Sequence, residues 1–128
     1  MQANKFFSYQ ETRLLTAPPS TLARVALEEA VKAANAAISC LKSGDVPQRS
    51  RAITKSMNLL TEFMAMLNDE ADPELCLNLK RTCDYAHRRL LAAHVSQSEP
   101  MLREVISLIQ PIAEAWATVE RRMTLVAS

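Results

Sequence analysis

Asp84 and His87 stand three residues apart, and Cys83 and His87 four apart, on a stretch whose apolar residues recur at helical spacing. On a helix both pairs share a face, so the cluster invites two kinds of chemistry. A carboxylate and an imidazole at i and i+3 are half of a bundle-core di-metal motif, which needs a second copy on another helix and inward glutamates from two more. The last apolar-periodic stretch contains no histidine, so that set is never completed. Cys83 and His87 alone are too few ligands for a stable site, and neither a metal nor another cofactor is expected. The second chemistry is phosphoryl transfer. An exposed histidine on a helical bundle accepts a phosphoryl group when a partner domain reaches it, and Arg88 and Arg89 would neutralise the added charge. Leu90 and Leu91 put bulk where that partner would dock. No serine or cysteine has a recognisable base partner, and a sole glycine, Gly44, rules out a phosphate-cradling loop, so no enzyme is expected.

The elements that position these residues follow from punctuation and periodicity. Among 128 residues the prolines fall almost entirely between four apolar-periodic stretches, which predicts an all-α chain with three short loops. The first helix is expected from about Thr21 to Lys42, with Ser20 as N-cap and Gly44 as a left-handed cap past its end. Leu27, Val31, Ala34, Ile38 and Leu41 form one stripe, and Ala26, Ala30, Ala33, Ala37 and Cys40 a second stripe of small residues that lets another backbone approach. After Asp45-Val46-Pro47 the second helix carries Ile53, Met57, Leu60, Met64 and Leu67 inward, with Leu59, Phe63 and Met66 as an adjacent row. Asp72 and Pro73 open the third helix, which runs to about Val95 with Leu75, Leu79, Thr82 or Cys83, Ala86, Leu90 and Ala93 inward and Tyr85 on the flank. The loop Ser96 to Pro100 precedes a fourth ladder of Leu102, Val105, Ile109, Ile112, Trp116, Val119 and Met123. Pro111 lies within it and is expected to kink the helix at the carbonyl of Ser107.

Loops this short make neighbouring helices antiparallel, which predicts an up-down-up-down four-helix bundle over residues 20–128. Residues 1–19 form an N-terminal arm or cap, because Pro18-Pro19 prevents Tyr9, Leu14 and Leu15 from extending the first helix. The net charge of +1, with basic pairs scattered over separate segments, speaks against nucleic acid as a partner. No segment has the length and apolarity of a membrane span or a signal peptide, so a cytoplasmic protein is expected. Three cysteines without CxxC spacing fit reduced, buried thiols.

Tyr9-Gln-Glu-Thr12-Arg-Leu14-Leu-Thr16-Ala17-Pro18, followed by Leu22, Glu28 and Ala30, resembles the opening of the flagellar secretion chaperone family FliS. Glu62-Phe63 through Leu67-Asn68, Asn78-Leu79 with Asp84-Tyr85 and Leu90, and Ala115-Trp116 are similar to later landmarks of that family, in register. The chain departs from the family's pattern at Leu27-Glu28-Glu29, where a Tyr-acid-Gly triplet is usual, at Thr82-Cys83 in place of Leu-Tyr, and at Ala113 in place of Arg. These departures mark a divergent member with its own client. The resemblance implies a cytoplasmic chaperone, working without ATP, that binds the disordered C-terminal segment of flagellin, prevents premature polymerisation and holds the subunit for the flagellar export apparatus.

A client segment that becomes helical only in the filament must cover an apolar face, and surplus stripes on a bundle offer grooves for it. The flanking rows supply the expected contacts: Leu22, Val31, Leu59, Phe63, Met66, Leu79 and Tyr85, with Trp116 in the core. Tyr9, Leu14 and Leu15 of the arm are expected to shield part of the groove until the client displaces them. A monomer with a tendency to self-associate through the unoccupied face is expected. The alternatives are a histidine phosphotransfer module using His87, or an adaptor for some other helical partner.

Overall fold

The computed structural model describes residues 20–127, with side chains from 21 to 122. It contains four helices: α1, Ser20–Ser43; α2, Val46–Ala65; α3, Pro73–Ser96; and α4, Glu99–Ala127. Each boundary has a local cause. Gly44 takes φ 76°, and the amides of Gly44 and Asp45 bond back to Leu41 and Cys40 to close α1. The Asp45 carboxylate then caps α2 by accepting from the amide of Gln48 at 3.1 Å, and Asp72 caps α3 through the amide of Leu75 at 3.2 Å, with Pro73 at the first helical position. Gln97 ends α3 in the left-handed region at φ 55°. Three boundaries differ from expectation: Ser20 is itself helical, α2 ends at Ala65 before reaching Leu67, and α4 begins at Glu99, so the last loop is Gln97 and Ser98. α4 continues unbroken through Pro111, whose exposed position leaves the freed carbonyl on the solvent side.

Cross-helix bonds show the antiparallel order directly. Arg24 near the start of α1 pairs with Glu120 near the end of α4, while Lys42 at the end of α1 lies 3.9 Å from Glu99 at the start of α4. Arg49 of early α2 reaches His94 of late α3, and Arg89 of α3 reaches Glu104 of α4. The helices therefore stand at the corners of a square, with α1 and α3 on one diagonal and α2 and α4 on the other.

Both α1 stripes are largely buried, and their small residues bring α1 and α2 together most closely. At the midpoint the Ser56 hydroxyl, fully enclosed, donates to the carbonyl of Ala30 at 2.8 Å. Phe63 and Trp116 meet across the α2/α4 diagonal edge-to-face, with centroids 5.2 Å apart and planes at 84°. The inward row of α2 is thus Ile53, Ser56, Leu60 and Phe63, with Leu67 buried just past its end, and Met57 and Met64, expected inside, are half-buried flanks. Two expected surface contacts are corrected by this packing. Phe63 is fully buried and Leu79 nearly so, each held by the core rather than turned to a partner.

Candidate partner-binding surface

The buried thiols and the Asp84 carboxylate are occupied with structure. Burial pushes the Cys83 thiol up to about 12. Burial, reinforced by its hydrogen bond to Asp69, pushes Cys76 to about 11. Both remain protonated at neutral pH, so neither supplies a thiolate nucleophile. Asp84 pairs with Arg88 at 2.6 Å rather than with His87, and His87 is half-buried beside them. Among the described residues no group of three or more His, Cys, Asp and Glu is placed to hold a metal ion.

The apolar surface is distributed over the edges where helices meet. Glu29 and Lys55 bridge α1 and α2 at 3.8 Å, which identifies the flanks that share that edge. Leu22 lies seven residues before Glu29, and Leu59 and Met66 lie four and eleven after Lys55, so all three share the same edge by helical phase. Leu22 is 48% exposed and Leu59 and Met66 are half-buried; Val25, 40% exposed, extends the same patch. Val31 sits elsewhere, in a groove of about 250 Å³ between α1 and α4 whose other lining residues include Glu28, Lys32, Gln110, Ala113, Glu114 and Ala117. The Ala113 departure thus falls on the wall of an open groove, where an arginine would take up the space. Tyr85 occupies a third edge, between α3 and α4.

The structure therefore brings together Leu22, Leu59 and Met66, and separates Val31 and Tyr85 from them. Tyr9, Leu14 and Leu15 lie outside the described residues. Val25, Val46, Leu77, Leu91 and Val95 are exposed apolar residues that reading along the inward ladders passes over. The signal for three of them was present, since Leu77 and Leu91 are fourteen residues apart, two full heptads, with Val95 four further on.

Carboxylates tie two of these edges. Glu104 accepts from the Tyr85 hydroxyl and from Arg89 Nε, each at 2.8 Å, and the Arg89 guanidinium lies 5.9 Å from the centre of the Tyr85 ring. The Tyr85 hydrogen bond, then Arg89, hold the Glu104 carboxyl below the usual carboxylate range, and the same bond pushes the Tyr85 hydroxyl up. Glu120 is likewise held low, first by the Thr21 hydroxyl and then by Arg24. A carboxyl whose pKa is lowered by folding stabilises fully above its unfolded value, here about 4.5, and loses that contribution as pH falls through the lower folded value. Thermal unfolding followed by circular dichroism should therefore show stability declining as pH drops below about 4.5. The decline should be shallower in Glu120→Gln, and an identical profile in that variant would remove Glu120 from the linkage.

The family model for the flagellar protein FliS matches residues 2–123. The chain is similar to the flagellar secretion chaperone FliS of Salmonella typhimurium, 32% identical over 110 residues that cover 85% of this chain and 82% of that protein. It is similar also to the flagellar secretion chaperones FliS of Bacillus subtilis, 26% identical over 113 residues (88% and 84% covered), and of Vibrio cholerae, 22% identical over 116 residues (91% and 85% covered). A match that begins ahead of the bundle and runs through Trp116 into the last turns of α4, on a helical frame with open apolar edges, places the chain in the FliS family.

Proposed function

We propose that this chain is a flagellar secretion chaperone whose client is the disordered C-terminal segment of flagellin, which it keeps from polymerising and holds for the export apparatus. The observation that carries the reading is the α1/α2 edge. Leu22 and Val25 stand open beside the half-buried Leu59 and Met66 on a bundle whose own core is already sealed. An amphipathic client helix laid along that edge buries apolar area that the fold does not use, and the α1/α4 groove beside Val31 offers a second seat on the other flank of the same helix. Ordering the client offsets part of that gain, so the complex is held without being irreversible and can be released at export. The family's chaperone role fits a chain whose buried thiols, Cys76 and Cys83, stay protonated and several of whose carboxylates are engaged in ion pairs and caps.

Calorimetry with a flagellin C-terminal segment tests this. Wild-type protein is expected to bind, and Leu22→Glu combined with Met66→Glu to weaken binding at least about tenfold, because each places a charge in the apolar contact. Val95→Glu, on the outer face of α3, should bind as wild type. Removing residues 1–17 should change the affinity if Tyr9, Leu14 and Leu15 shield the client's seat. No heat with the wild-type chain would defeat the chaperone reading, whereas binding that the double variant leaves unchanged would move the seat away from the α1/α2 edge.

A further inference from the structure

The row on α3 directly opposite its buried side repeats with the alternating steps of four and three that define a coiled-coil seam: Leu77, Arg81, Asp84, Arg88, Leu91, Val95. The buried row of the same helix is Leu75, Leu79, Cys83, Ala86, Leu90 and Ala93, so the seam points away from the bundle. Leu77 is 48% exposed, Leu91 53% and Val95 76%, while Asp84 and Arg88 are mostly exposed and paired with each other along the helix. The proposed client edge does not use this row, and nothing in the bundle's own packing requires it to be apolar.

We propose that this face pairs with the same face of a second copy of the chain, antiparallel, about a two-fold axis beside Ala86. In an antiparallel pair of helices each a position faces a d position of the partner helix. Taking Arg81, Arg88 and Val95 as a and Leu77, Asp84 and Leu91 as d, the two copies register without conflict. Leu77 of each copy then opposes Val95 of the other, and Arg81 opposes Leu91, with the stem of the arginine along the leucine and its guanidinium in water. At the centre Asp84 opposes Arg88 twice, by symmetry. The i, i+4 ion pair already present within each helix thereby becomes a four-charge ring across the axis.

A parallel pairing of the same row stacks Arg81 on Arg81, Asp84 on Asp84 and Arg88 on Arg88, so the charges select the antiparallel arrangement. The seam spans about 27 Å of helix, which buries roughly 1,000 Å² in total and puts the dimer in the weak, concentration-dependent class. Such a dimer leaves the α1/α2 edge open, so it is independent of the client reading.

Sedimentation equilibrium of the full chain from roughly 10 µM to 1 mM tests the arrangement, since a weak dimer emerges only with concentration. Wild type should pass from monomer toward dimer over that range. Asp84→Arg and Arg88→Asp should each weaken association at least about tenfold by placing like charges across the axis, and the double exchange, D84R with R88D, should restore it. Both positions are exposed, so the thermal midpoints of the variants serve as the check on folding. Leu91→Glu should abolish the dimer and Leu22→Glu should leave it intact. A chain that stays monomeric throughout, a dimer indifferent to both single charge changes, a double exchange that fails to rescue, or a dimer lost with Leu22→Glu would each overturn the proposal.

Discussion

Replacing Phe63 with alanine is expected to destabilise the bundle by about 3–5 kcal/mol, which corresponds to a fall of roughly 10–20 °C in the unfolding midpoint for a domain of this size. Phe63 is fully enclosed and stacks its edge against Trp116 on the diagonal helix, so truncation removes both a large apolar volume and the ring contact. The facing turns of α1 cannot refill the space with longer side chains, because the buried residues at that level, Ala23 and Ala26, present only methyl groups. Leu79→Ala should follow the same pattern at about 2–5 kcal/mol. Chemical denaturation followed by circular dichroism measures both. The outcome separates two roles that the sequence pattern alone leaves equivalent. A Phe63→Ala protein with wild-type stability and impaired client binding would return Phe63 to the partner surface.

Much of the frame could be read from residue order because its signals are local. Gly44 adopts the positive φ that its place after an apolar stripe suggested, and Asp72-Pro73 caps α3 through backbone bonds formed within three residues. The α4 ladder, from Leu102 through Trp116 to Val119, is inward with one exception, Ile112, which yields to Ala113 one residue on. What local signals do not resolve is phase in a helix that is apolar over a broad arc. On α2 the rows through Phe63 and Met64 are adjacent, and Trp116 across the diagonal decides between them. On α3, Leu79 belongs by spacing to the inward row, and the structure keeps it there despite its attraction as a contact.

The candidate surface was legible only in part for the same reason. Leu22 stands free because it lies in the first turn of α1, and Met66 is half-open at the end of α2. Both are end effects that depend on how far the neighbouring helix extends. Leu77 and Leu91 are masked in sequence by the charged residues between them, and become a row only when the helix is wound and its opposite side is seen to be buried.

Changing His94 to leucine is expected to cost about 2 kcal/mol, although it replaces a half-buried polar side chain with an apolar one of similar size. The reason is Arg49, which is 95% buried at the start of α2 and whose Nε donates to His94 Nδ1 at 3.2 Å. Leucine removes the acceptor and leaves the enclosed guanidinium with an unmet donor, and a charged group left so is more costly than a neutral one. Arg49→Met, by contrast, removes the charge together with its need for a partner and should change stability by less than about 1 kcal/mol in either direction. The double variant should therefore be more stable than His94→Leu alone, a non-additive result that a double-mutant cycle by denaturant titration would read directly. Additive losses would mean that Arg49 finds its compensation in water and that the two side chains are neighbours without coupling. The pair joins the first turn of α2 to the last turn of α3, at the end of the bundle away from Phe63 and Leu67. A strong coupling would therefore make it a polar latch on the end that the aromatic core does not reach.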